Sequence, residues 1–151
     1  MSKKGVENLI AAVAKAMGRK KLDIDSFDDR LMIQKGCFIL NLRGVGPAYN
    51  FSMYIRGPYS RDLADDYFKV PKKRMSYETD VPEDDIAELS RIMDKGAPFV
   101  EAYTTIVLVS KYNRMMKEDE LTDFVAKLKP HIEKETIREA SEYRKIVASA
   151  T

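Results

Sequence analysis

Apolar residues recur along this chain at helical spacing, broken once by a stretch of strict alternation. Val6, Leu9, Ile10, Val13 and Met17 share one helical face, and Gly18, free to take positive φ, is placed to end that helix. Ser26 followed by Asp28 and Asp29 has the make-up of an N-cap with acidic residues at the positive end of the helix dipole. The helix it opens continues through Leu31 to Leu42. Leu31, Met32, Ile33, Cys37, Phe38, Ile39, Leu40 and Leu42 leave it almost no polar face, which predicts a central position. Gly36 within it costs about 1 kcal/mol against alanine, which close approach of a neighbouring backbone would explain.

Gly44, Gly46 and Pro47 break the helical pattern. Tyr49, Phe51, Met53 and Ile55 then alternate with Asn50, Ser52, Tyr54 and Arg56, the period-two signature of a half-buried strand. Gly57-Pro58 is read as the turn that follows, and Ser60 as the cap of a short helix through Phe68 with Asp62 in its first turn. Met75 and Tyr77 are expected to supply a second strand pairing with the first.

Pro82 with Glu83, Asp84 and Asp85 starts another helix, whose apolar face is Ile86, Leu89, Ile92 and Met93 and which Gly96 ends. After Pro98, the run from Thr104 to Val109 favours a strand by propensity, while Phe99, Tyr103, Ile106 and Ser110 keep helical spacing. The length of the segment decides for helix. Two further helices are expected, one turning Leu121, Phe124, Val125 and Leu128 inward, the other starting near His131 and burying Ile132, Ile137, Ala140, Tyr143 and Val147. The predicted fold class is mainly α with a small β-hairpin, an α+β helical bundle forming a single domain over residues 1–151.

Composition agrees with one domain. A chain of 151 residues suffices for a continuous core, and 33% charged with 44% hydrophobic residues is a globular balance. The apolar run from Leu9 to Met17 is interrupted by Lys15 and lacks a cleavage pattern, so it reads as an amphipathic helix. No stretch approaches the roughly 18 apolar residues of a membrane span. With Cys37 the single cysteine, no internal disulfide can form, and a reducing cytoplasm is the expected setting. The net charge of +2 is unevenly spread: residues 1–50 carry nine Lys or Arg against five Asp or Glu, and residues 51–100 carry eight against ten. That distribution permits a nucleic-acid partner without demanding one.

Candidate chemistry is sparse. The pairs Asp28/Asp29, Asp65/Asp66 and Asp84/Asp85 are adjacent on helices and point about 100° apart, so they do not converge, and the helix dipole accounts for them. His131 follows Pro130 without metal-ligand spacing and reads as a surface or capping residue. Cys37 lies in an apolar helix that disfavours its thiolate. Gly44-Val45-Gly46-Pro47 lacks the Lys-Ser/Thr of a phosphate loop and leads into a strand. No catalytic residue, metal ligand or cofactor is therefore expected. Two groups remain. Tyr54, Arg56, Tyr59 and Arg61 gather rings and guanidiniums at a strand-turn-helix junction suited to contact, unless Tyr59 plugs the junction and the arginines pair with Asp62 or Asp65. Lys72-Lys73-Arg74 could meet DNA phosphates as a wing does, unless it is only a solvated loop.

Arg30-Leu31-Met32-Ile33-Gln34-Lys35, an apolar helix and then Tyr49 through Leu63 resemble the YwgA-type small proteins, and more distantly the Panacea-domain, SocA-like antitoxins. Those relatives carry a Leu-Gln-Lys-Leu helix, a strand and a Tyr-Gly-Pro-Tyr/Val turn. Here Ile33-Gln34-Lys35-Gly36 and Arg56-Gly57-Pro58-Tyr59 stand in those places, with Gly36 replacing a large apolar residue. Leu128-Lys129-Pro130 before a long helix is similar to the family's C-terminal half. The resemblance implies a helix-rich domain with a small sheet and a winged-helix-like core, no enzyme activity, and, by way of the antitoxins, neutralisation of a protein by direct contact. The leading expectation is a non-enzymatic regulatory or antitoxin-like protein-interaction module, with Arg56, Gly57, Pro58, Tyr59, Ser60 and Arg61 binding the partner. The alternative is a winged-helix-like DNA-binding regulator using Lys72, Lys73 and Arg74.

Overall fold

Seven helices and one two-stranded sheet make up the described residues. The structure is a computed structural model, and it describes residues 2–71 and 75–150. The elements are α1 (Ser2–Ala16), α2 (Phe27–Leu42), β1 (Ser52–Tyr54), β2 (Gly57–Tyr59), α3 (Arg61–Phe68), α4 (Glu83–Met93), α5 (Ala97–Tyr112), α6 (Glu118–Leu128) and α7 (Lys134–Ala150). The chain is mainly α with a small hairpin, as the periodicity predicts. No helix among the described residues is long and apolar enough to cross a membrane.

Local signals set the helix starts. The Ser26 hydroxyl accepts from Asp29 N–H and the Ser60 hydroxyl from Leu63 N–H, each meeting one of the amides a helix start leaves unpaired. Gly18 and Gly96 take positive φ, 69° and 101°, after α1 and before α5. The segment from Ala97 is helical throughout, so tertiary burial and length outweigh the β-branched propensity of its middle.

One core runs through the molecule. Leu9, Ile10 and Val13 of α1, Ile33, Cys37 and Leu40 of α2, Leu89 and Ile92 of α4, and Val100 and Ile106 of α5 are all essentially inaccessible. α5 is the hub, packing against α2, α4, α6, α7 and the hairpin. Gly36 of α2 sits where a Cβ would lie 2.6 Å from Val13 Cγ2 and 3.0 Å from Met93 Cε. The neighbours that require the glycine are thus side chains of α1 and α4, not a backbone.

The hairpin differs from the sequence expectation. β1 and β2 pair antiparallel with Ser52 opposite Tyr59, Met53 opposite Pro58 and Tyr54 opposite Gly57, so Gly57-Pro58 is strand and the turn is Ile55-Arg56. Both turn residues keep negative φ, and Gly57 at φ 106° absorbs the reversal, as in hairpins that follow an ordinary turn with a glycine bulge. Pro58 is tolerated because a two-stranded sheet has only edge strands. The alternation from Tyr49 does not become strand until Ser52, because Asn41 of α2 captures the chain first. Its Oδ1 accepts from Tyr49 N–H at 3.0 Å and its Nδ2 donates to Val45 O at 2.8 Å.

Met75 and Tyr77 form no strand. The Tyr77 hydroxyl instead accepts from Leu22 N–H and donates to Leu22 O, fastening this irregular segment to the loop after α1. Phe124 and Leu128, expected inward, are substantially exposed, since α6 buries only Leu121 and Val125. The last helix begins at Lys134 rather than His131, although Ile132 ahead of it is buried.

Candidate functional site

The predicted contact residues divide into an exposed tip and a buried base. Ile55 and Arg56 form the tip of the hairpin, with Ile55 85% exposed, and Tyr54 and Tyr59 lie against each other behind it, ring centroids 4.9 Å apart. Gly57, Pro58 and Ser60 are buried. Their work is attachment. Gln34 of α2 accepts from Ser60 N–H at 2.8 Å and donates to Ser60 O at 2.9 Å, closing a two-point clamp shielded from water. The Ile33-Gln34-Lys35 and Gly57-Pro58-Tyr59-Ser60 segments therefore meet in space, the first gripping the second.

Beside the tip lies a set of side chains that the sequence pattern did not single out. The Arg56 guanidinium stands 5.8 Å from the Phe27 ring centre, and Arg30 lies between Phe27 and Phe68 at 5.9 and 5.7 Å. Phe27 and Phe68 are 52% and 59% exposed, unlike phenylalanines that serve a core. The Phe27–Arg30 pair, three apart on α2, was legible as one helical face. Phe68 was not, because only the fold brings the end of α3 to the start of α2.

Arg30 also donates to Ile24 O at 2.8 Å, which fixes its long side chain. Among the described residues neither Arg30, Arg56 nor Arg61 is ion-paired, so the pairing of Arg56 or Arg61 with Asp62 or Asp65 does not form. Arg61 is exposed at the first turn of α3. Lys72-Lys73-Arg74, the expected nucleic-acid contact, lies outside the described residues.

A charged cluster supports the hairpin from below. Lys129, only 3% exposed, donates to Tyr54 O at 3.3 Å and to Ile55 O, and its ammonium pairs with Glu101 of α5 at 3.2 Å. His131 Nε2 lies 3.0 Å from the same Glu101 oxygen, so the histidine has a defined partner. Lys35 of α2 is likewise buried. Desolvation lowers its pKa to about 8, Lys129 and Arg56 push the same way, and Glu101 partly offsets them.

Elsewhere, two part-buried carboxylates, Glu88 and Glu118, are held by partners. Burial works against the charge of Glu118 and Glu88, yet both carboxyls sit below their ordinary pKa. Glu118 takes hydrogen bonds from Arg144 and Ser141, and Glu88 from Tyr143 and Arg91. Burial pushes the Cys37 thiol far up, so it behaves as a small apolar side chain. Among the described residues no group of three or more His, Cys, Asp or Glu could hold a metal ion. Comparison with protein-family models, curated proteins and solved structures finds no match for this chain.

Proposed function

We propose that this protein is a non-enzymatic, antitoxin-like or regulatory module that binds a protein partner through the face formed by Phe27, Arg30, Phe68 and the hairpin tip. The observation that carries the reading is the stack of Arg30 and Arg56 on exposed phenylalanine rings, with Ile55 projecting beside it. Aromatic and arginine side chains dominate the energetics of protein interfaces. A guanidinium already held against a ring loses little rotamer freedom on binding, so more of its interaction energy reaches affinity.

Charge favours a protein with carboxylates opposite Arg30 and Arg56, which have no acidic partner among the described residues. Nucleic acid fits less well. Asp65 lies one helical turn before Phe68, and Asp28 follows Phe27, both exposed, so they interrupt the continuous positive track that a phosphate backbone needs, whereas single carboxylates can meet Arg30 and Arg56 individually. The resemblance to the YwgA-type and SocA-like proteins points the same way, toward contact rather than catalysis.

A photo-crosslinking amino acid at Ile55 tests the proposal in cells, with the same substitution at exposed Met115 as control. A protein adduct formed from position 55, absent from 115 and lost on Arg30→Ala/Arg56→Ala, supports it. Adducts that are indifferent to position overturn it. Salt-sensitive binding of a random-sequence duplex, lost when Arg30 and Arg56 are removed, would give the face to DNA instead.

A further inference from the structure

We propose that Lys35 and Thr105, under the added positive field of Lys129, bind a small oxyanion beneath the hairpin. Two polar groups here have no partner among the described residues, and one of them, a hydroxyl, is fully buried. Lys35 is 4% exposed, and among the described residues its ammonium makes no hydrogen bond or ion pair. The Thr105 hydroxyl is fully buried and also unpaired. Both face the same point of the hairpin: a Cβ placed on Gly57 would lie 3.5 Å from Thr105 Oγ1 and 3.7 Å from Lys35 Cε. A fully buried hydroxyl left without a partner is costly and calls for an explanation, and beside it stands an ammonium that is nearly shut off from water.

The charge balance selects the ligand class. Glu101, the carboxylate near this pair, is already shared between Lys129 and His131. Lys129 directs its donors to Glu101 and to the carbonyls of Tyr54 and Ile55, so it contributes charge but no free donor. Lys35, Lys129 and the nearby Arg56 thus face one carboxylate. A cation would be repelled, and a neutral ligand would leave the excess charge in place. An oxyanion offers several acceptors, takes hydrogen bonds from the Lys35 ammonium and the Thr105 hydroxyl, and balances the charge. Desolvation chiefly, with Lys129 and Arg56 adding to it, holds the Lys35 pKa at about 8, and a bound anion would raise it.

Thermal unfolding in inorganic phosphate tests the site, with chloride used to hold ionic strength constant and acetate as a parallel probe. The proteins compared are wild type, Lys35→Met, Thr105→Val and, as a surface control, Lys111→Ala. Phosphate is expected to raise the Tm of wild type and of Lys111→Ala, to leave Lys35→Met unmoved, and to require about tenfold more ligand for Thr105→Val. Equal response to acetate assigns carboxylates as well as phosphates, whereas response to phosphate alone assigns tetrahedral oxyanions. No rise beyond chloride with either probe, or equal rises in wild type, Lys35→Met and Thr105→Val, overturns the proposal.

Discussion

Replacing Lys35 by methionine should make the protein more stable, and by an amount that depends on pH in a defined way. Lys35 is buried without a partner, and its pKa falls from the ordinary 10.5 to about 8, chiefly through desolvation. At about 1.4 kcal/mol per tenfold change in proton affinity, the charged form is destabilised in the fold by about 3 kcal/mol. Methionine has similar length and volume without the charge, and replacing buried charges by apolar groups of like size commonly stabilises. Below about pH 8 both folded and unfolded states hold the proton, so the full penalty is present. Between there and 10.5 the unfolded chain binds more protons than the folded one, and wild-type stability rises with pH. The advantage of Lys35→Met, about 3 kcal/mol near pH 7, should therefore shrink by about 2 kcal/mol by about pH 10. Urea unfolding of both proteins across that range measures it, and the difference cancels groups common to both, including the tyrosines. In a thermal scan near neutrality the gain amounts to roughly 6–12 °C. A Lys35→Met protein less stable than wild type, or a gap that does not narrow as pH rises, would refute the reasoning.

Gln34→Ala removes both bonds to the Ser60 backbone and leaves the buried Ser60 N–H unpaired, while Ser60 O keeps the Ala64 N–H, so urea unfolding should show a loss of about 2 kcal/mol. Gly36→Ala gains up to about 1 kcal/mol of helix propensity but drives a methyl to 2.6 Å from Val13 Cγ2. A net loss of about 1–2 kcal/mol is expected, and Val13→Ala in the same chain should recover part of it in a double-mutant cycle.

What the sequence revealed was local. Ser26 and Ser60 are caps because a hydroxyl next to unpaired amides works within one turn of chain, and no distant contact can cancel it. Of the hairpin only the first strand was legible, since its partner was expected at Met75 and Tyr77. Gly57-Pro58 carries the residues of a turn, and only the positive φ of Gly57, with its packing against Thr104 and Thr105, reveals it as strand. Asn41 shortened the first strand by binding Tyr49, a contact that alternation does not encode. The Arg56 part of the proposed contact face could be named in advance because it lies in the strand-turn segment that the sequence pattern singles out. Phe27, Arg30 and Phe68 join it only when α2 and α3 are packed. Gln34 and Lys35 did carry a signal, two polar residues within the apolar run from Leu31 to Leu40, but the Ser60 that Gln34 binds and the Glu101 and Lys129 charges around Lys35 come from distant segments.

The central claim is that Arg30 and Arg56, stacked on exposed rings, are the contact points for a protein partner. Its most direct measurement is calorimetric titration of the purified partner captured from position 55 against wild type, Arg30→Ala and Arg56→Ala. The account predicts that each substitution weakens binding by about 2 kcal/mol, roughly thirtyfold, while leaving the fold intact. Unchanged affinity in both variants would contradict it.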